Sequence, residues 1–142
     1  MSSDHTRCDD IFARAEEACT QGDWERGAQL LGDFVTALEA HFASEEDVLF
    51  PAFETATGMR SGPTQMMREE HRQMRDLLAN MNSALSQRDS ANFSGGADTL
   101  LVLMQQHNMK EENILYPMCD QALGASDMAS VLQQRIGTTN PA

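Results

Sequence analysis

Apolar residues recur at intervals of three and four along most of the chain, which is the spacing of one face of an α-helix. Two such stripes are regular, and each includes a histidine and a glutamate: Leu31, Phe34, Leu38, His41 and Glu45, then Ala97, Leu100, Met104, His107 and Glu111. Two further stripes are less regular: His5, Cys8, Phe12, Ala15 and Cys19, then Met67, His71, Met74, Leu78, Met81 and Leu85. The pattern predicts four amphipathic helices.

Helix-breaking residues separate the four stripes and indicate where the helices begin and end. The breaks are Gly22-Asp23, the segment 58–63 and Asp89-Ser90. We predict long helices near 3–20, 24–54, 63–87 and 91–121, and a short fifth helix near 126–136.

Proline and the short connections set the predicted architecture. Pro51 and Pro117 are expected to end or bend the second and fourth helices, because proline lacks the backbone N–H that continues a helix. Four amphipathic helices with short connections predict an all-α fold, an antiparallel up-down-up-down four-helix bundle. We expect this bundle to span residues 1–122, and residues 123–142 to form the short C-terminal helix and a tail.

The balance of charge excludes several classes of function. The 142 residues include 22 acidic and 10 basic side chains, which gives a formal net charge of −12. Nucleic-acid-binding surfaces need clustered Lys and Arg, and an anionic membrane repels such a chain. The longest apolar run, residues 100–104, is far shorter than the roughly 20 residues that cross a bilayer. A polar start without a signal peptide, and three cysteines without a CxxC pair, predict a cytoplasmic protein with reduced thiols.

A weak internal repeat runs through the histidines. His5 and His71 are 66 residues apart, and so are His41 and His107. The same offset superposes the segment 41–51, HFASEEDVLFP, on the segment 107–117, HNMKEENILYP. All four histidines of the chain take part in the repeat. In an antiparallel bundle their positions relative to the connections place them in one layer of the core.

Six polar side chains therefore occupy helix positions that face the core: His5, His41, Glu45, His71, His107 and Glu111. Such groups are costly to bury unless they are paired or bind a metal. A hydrogen-bonded His–Glu network is one interpretation, but we favour a metal site, which bundle cores commonly hold. Imidazole and carboxylate ligands suit iron, manganese or zinc, and the ligand count suggests two ions with about two open positions.

At this level of detail the sequence resembles the hemerythrin-like (HHE cation-binding) family. The resemblance rests on two copies of H-x-x-x-E-E-x-x-x-[FY]-P at matched spacing, each preceded by a single histidine, and it covers roughly residues 4–120. It implies a non-haem di-iron centre with oxo or hydroxo and carboxylate bridges. The same six residues would be the ligands, with Glu45 and Glu111 bridging.

Two departures distinguish this chain from the oxygen-carrying hemerythrins. Arg75 stands where those proteins have a further histidine. Glu112 stands at the place of their aspartate, one residue after Glu111, which the internal repeat favours as the ligand. The chain looks more like the branch with four histidine and two glutamate ligands, which includes iron-repair and iron-sensing members.

The resemblance implies a protein that binds dioxygen, NO or a related small ligand for sensing, redox or iron handling. We favour this over a classical enzyme and assign no catalytic residues. The alternatives are an iron-dependent oxidoreductase or iron donor in repair, and a metal-stabilised structural bundle. Zinc or manganese would fit the same ligands.

Four neighbouring side chains have two interpretations each. Glu46 and Glu112 are expected to be solvated or to support the ligands, with an additional ligand as the alternative. We expect Arg75 to point outward rather than to pair with a carboxylate at the site. Tyr116 could donate a hydrogen bond to a bound ligand, but its counterpart Phe50 favours simple packing.

Overall fold

The computed structural model describes residues 2–123, and in that range it contains helices and no strands. The elements are α1 (Ser2–Thr20), α2 (Trp24–Ser44), a first π-helical segment (Glu45–Leu49), α3 (Phe50–Thr57), α4 (Pro63–Ser86), α5 (Ser90–Lys110), a second π-helical segment (Glu111–Leu115) and α6 (Tyr116–Leu123). Each π-helical segment joins its two α-helices without a break. The four predicted long helices are therefore confirmed, whereas the predicted fifth helix lies outside the described residues.

The helices begin and end where the sequence places capping residues. The Asp23 carboxylate accepts a hydrogen bond from the Arg26 N–H at 3.2 Å, and the Asp89 carboxylate accepts one from the Asn92 N–H at 3.2 Å. These bonds satisfy N–H groups that the first turn of a helix leaves without partners. At the other end of α3, Gly58 has a φ of 75°, a left-handed conformation that glycine adopts without steric cost.

Neither Pro51 nor Pro117 ends its helix. Each is the second residue of an α-helix that follows a π-helical segment, and these helices continue to Thr57 and Leu123. The Phe50 N–H bonds to the Glu45 carbonyl five residues earlier, so the change of hydrogen-bond register comes before the proline. The wider π-helical turn is thus the local departure from regular α-helix, and such turns are frequent at functional sites.

The helices pack in pairs around two apolar clusters. α1 packs against α2, α4 against α5 and α3 against α6, with further contacts between α2 and α4 and between α1 and α5. The larger cluster includes Phe12, Phe34 and Leu100, and the smaller one includes Phe50 and Leu115. The buried histidines lie between these clusters along the helices. No helix within residues 2–123 is both long and apolar enough to cross a membrane.

Two glycines of α2 differ in how closely α1 approaches them. A Cβ atom at Gly27 would lie 2.4 Å from the buried Cys19 Sγ, whereas one at Gly32 would meet nothing within 4 Å. Gly32→Ala should raise the free energy of unfolding by about 0.5–1 kcal/mol, because alanine favours the helix. Gly27→Ala gains the same propensity but overpacks the interface, at a typical cost of about 1–3 kcal/mol.

We therefore expect urea unfolding to show Gly27→Ala as clearly less stable than Gly32→Ala. Equal stabilisation by the two substitutions would contradict the close approach of α1 to Gly27.

Candidate metal centre

All six side chains that the sequence analysis selected meet in one buried layer. His5 lies on α1, His41 on α2, His71 on α4 and His107 on α5. Glu45 and Glu111 are the first residues of the two π-helical segments. The relative exposure of His5 is 5%, and that of each of the other five is 2% or less. These residues are therefore removed from water, although all of them are polar.

The histidines form two pairs. The His5 Nε2 and His41 Nε2 atoms are 3.0 Å apart, and the ring centroids of His71 and His107 are 4.9 Å apart. The first pair belongs to the first half of the internal repeat and the second pair to its second half, so the 66-residue offset relates one pair to the other.

The carboxylates of Glu45 and Glu111 lie between the two pairs. Glu45 directs Oε1 to His71 Nε2 at 3.1 Å and Oε2 to His41 Nε2 at 3.5 Å. Glu111 directs Oε1 to His5 Nε2 at 3.0 Å and Oε2 to His107 Nε2 at 3.2 Å. Each carboxylate therefore offers one oxygen to each histidine pair.

Several of these atoms lack the hydrogen bonds that buried polar atoms normally make. In the described residues, the buried side-chain atoms without a hydrogen-bond partner are Arg68 Nε and four atoms of this layer: Glu45 Oε1, His71 Nε2, His107 Nε2 and Glu111 Oε2. These four converge, and their residues form one group that could hold a metal ion. His5, His41 and Glu111 form a second such group. The donor atoms suit iron, zinc or manganese, so the residues fit a metal centre.

The electrostatics of the layer favour a cation. Burial lowers the pKa of His41, but Glu45, Asp4 and Glu111 outweigh burial and hold this pKa well above its ordinary value. Burial raises the pKa of Glu111, but hydrogen bonding with Glu45 and His107 holds it well below its usual range. The Glu111 carboxylate thus keeps its negative charge and attracts a positive charge, which a proton on His41 or a metal ion can supply.

A second set of carboxylates holds the other nitrogen of every imidazole. Asp4 contacts His41 Nδ1 at 2.7 Å and Glu70 contacts His107 Nδ1 at 2.7 Å. Glu46 contacts His71 Nδ1 at 2.6 Å, and Glu112 contacts His5 Nδ1 at 3.1 Å. Such partners place the hydrogen on Nδ1 and direct the lone pair of Nε2 toward the centre of the layer.

Of these four acids, Glu46 and Glu112 are expected near the ligands from the sequence, whereas Asp4 and Glu70 are not. The signal was present, because the offset of 66 residues that relates the histidines also relates Asp4 to Glu70. The contacts themselves are not visible in the sequence. Asp4 precedes His5 but contacts His41 on a neighbouring helix, and Glu70 precedes His71 but contacts His107.

Basic side chains fix three of these outer carboxylates in turn. Arg7 pairs with Asp4 at 3.0 Å, and Lys110 pairs with Glu70 at 2.6 Å. Arg75 contacts both Glu39, at 2.8 Å, and Glu46, at 3.0 Å, so the expectation that it points away from the site is wrong. Burial raises the pKa of Glu46, but hydrogen bonds from His71 and Arg75 outweigh it and lower the pKa to about 2.

Tyr116 reaches the centre of the layer, where the sequence analysis favoured simple packing. Its hydroxyl donates to Glu45 Oε2 at 2.7 Å, and it lies 3.1 Å from Glu111 Oε1 and 3.3 Å from His5 Nε2. Tyr116 follows Glu111 by five residues, and the π-helical segment brings both residues to the same face.

Two aromatic rings pack against the His71 imidazole. The Phe42 ring stacks on His71 with 3.8 Å between centroids, and Phe50 lies against the same imidazole at 5.8 Å. These contacts hold the His71 ring and exclude water from it.

Histidines and shared carboxylates that meet in the core of a helical bundle are typical of metal-binding bundle proteins. A family model described as the hemerythrin HHE cation-binding domain matches residues 1–119, and the chain belongs to this family. Searches of curated proteins and of solved structures gave no significant match.

The two ion pairs of Arg75 can be tested against a matched arginine on the same helix. Arg75→Gln should lower the free energy of unfolding by about 1 kcal/mol, because Glu46 loses a half-buried charged partner. Arg72 pairs with Glu69 at an exposed position, and Arg72→Gln should change stability by less than about 0.5 kcal/mol. Chemical denaturation measures both, and equal losses would contradict the supporting role of Arg75.

Proposed function

We propose that this chain is a hemerythrin-like non-haem di-iron protein that binds dioxygen, NO or a related small ligand for sensing, redox or iron handling. The observation that carries the proposal is the placement of Glu45 and Glu111. Each directs one oxygen toward the His5–His41 pair and the other toward the His71–His107 pair, at 3.0–3.5 Å. Two carboxylates shared in this way are suited to bridging two ions.

In this proposal His5 and His41 bind one ion, His71 and His107 bind the other, and Glu45 and Glu111 bridge them. Iron suits these ligands, and when bound it would supply redox chemistry and open positions for a small ligand. The protein orients each imidazole through Asp4, Glu46, Glu70 and Glu112 and excludes water with the apolar clusters on either side. Iron is proposed over zinc and manganese on the ligand chemistry and the family membership.

The proposal includes an up-down-up-down arrangement of the four long helices. Contacts along α1 and α2 support it, because Asp4 contacts His41, Phe12 contacts Phe34 and Gly27 lies beside Cys19. Residues near the start of α1 thus meet residues near the end of α2. A cytoplasmic location also remains a proposal, supported by three buried cysteines that form no disulfide.

The ligand assignment predicts the iron content of a double variant. His41→Ala with His107→Ala removes one imidazole from each proposed position, and iron should fall from two ions per chain to almost none. Gln106→Ala changes an exposed residue beside His107 and should keep both ions. Metal analysis of the purified proteins measures this, with circular dichroism to verify the helices, and undiminished iron in the folded double variant would refute the assignment.

The small-ligand hypothesis predicts a reversible spectral change. The reduced protein, prepared anaerobically, should change its optical spectrum on exposure to dioxygen or NO and recover it when the gas is removed. The double variant is the control, because it should show no such change. A spectrum indifferent to both gases would contradict the hypothesis, and sustained peroxide consumption without a reversible complex would favour an oxidoreductase instead.

A further inference from the structure

The two halves of the metal centre differ at one pair of positions. The 66-residue offset relates Phe50 to Tyr116, and Tyr116 is the single tyrosine of the chain. The two rings occupy equivalent places. The Tyr116 ring lies 5.9 Å from His5 at an interplanar angle of 21°, and the Phe50 ring lies 5.8 Å from His71 at 23°. The hydroxyl group is therefore the chemical difference between these two positions.

The Tyr116 oxygen lies among the donor atoms of the His5–His41 pair. It is 2.7 Å from Glu45 Oε2, 3.1 Å from Glu111 Oε1 and 3.3 Å from His5 Nε2. The donors around it have similar separations: His5 Nε2 is 3.0 Å from both His41 Nε2 and Glu111 Oε1.

These separations are those expected of ligands that share one ion. Two donors at right angles, each about 2.1 Å from a metal, are about 3.0 Å apart. A hydroxyl that only oriented Glu45 would need a single close contact, whereas the Tyr116 oxygen is within 3.3 Å of three donors that belong to three different residues.

We propose that Tyr116 is a protein ligand of the ion at the His5–His41 position and that the two ions consequently have different ligands. The inference rests on the proposed di-iron function and adds a residue to it. The His5–His41 ion would have two imidazoles, two carboxylate oxygens and a phenol oxygen. The His71–His107 ion would have only the imidazoles and the carboxylates, with Phe50 in the place of the phenol.

The charge state of Tyr116 changes when it binds ferric iron. Without an ion, the phenol keeps its proton and donates it in a hydrogen bond to Glu45 Oε2. A bound cation would favour the phenolate form instead. On binding, the phenol O–H bond breaks, the oxygen donates its electron pair to the iron and the proton is released to solvent, with no change in oxidation state.

One consequence concerns the open positions of the centre. Because a phenol ligand fills a position on the His5–His41 ion, a small exogenous ligand is directed to the His71–His107 ion. The surroundings there are the Phe42 and Phe50 rings, which favour a small uncharged ligand over an anion.

The experiment is optical and resonance Raman spectroscopy of the air-oxidised, iron-loaded protein, with iron content measured on the same samples. The wild-type protein should show a phenolate-to-iron(III) charge-transfer band in the visible range and the tyrosinate ring vibrations that accompany it. Incorporation of ring-deuterated tyrosine should shift these vibrations, and the assignment is unambiguous because the chain has one tyrosine.

Two variants complete the test. Tyr116→Phe should keep its iron and lose the band and the vibrations. Tyr116→Phe with Phe50→Tyr moves the hydroxyl to the equivalent place beside His71 and should restore a phenolate band. Circular dichroism of each variant verifies the fold.

The outcomes separate this inference from the function on which it rests. Two ions in the wild-type protein without a phenolate band, or a band that survives Tyr116→Phe, would overturn the tyrosine ligand and leave the di-iron proposal intact. Failure of the wild-type protein to bind iron would overturn both.

Discussion

The burial of Glu45 and Glu111 is the constraint on which the rest of the structure depends. Two carboxylates in an interior between apolar clusters would each cost several kcal/mol without compensating positive charge and hydrogen bonds. Every long helix therefore contributes an imidazole to surround them. The outer carboxylates orient these imidazoles, and basic side chains at the edge fix three of the outer carboxylates. Acidic groups thus alternate with imidazoles and then with basic side chains from the buried pair of acids outward.

This network changes the meaning of the acidic composition. The formal charge of −12 first indicates only what the chain does not bind. Six of its acids belong to the network: Asp4, Glu45, Glu46, Glu70, Glu111 and Glu112. These six carboxylates are concentrated around the buried histidines, so they attract a cation to the centre. The other acidic residues make the surface soluble.

Much of the fold and the centre could be predicted from the sequence, because helical periodicity and the 66-residue offset are both visible in one dimension. The ends of the long helices and the convergence of His41, Glu45, His107 and Glu111 follow from these regularities. The π-helical segments could not be predicted, since they depart locally from the α-helical spacing of three and four residues that identifies helices in the sequence. The contact of Tyr116 with the ligands could not be predicted for the same reason, because only a π-helical turn places a residue five positions after Glu111 on the same face.

The shared carboxylates also have a consequence for how the molecule is assembled. His5 and His41 come from the first half of the repeat, but the group that they form is completed by Glu111 from the second half. Glu45 of the first half likewise joins His71 and His107 of the second. Neither half, α1 with α2 or α4 with α5, contains a whole site by itself. The centre is complete only when the two halves are packed together, so a bound ion would indicate native tertiary structure and not merely the presence of helices.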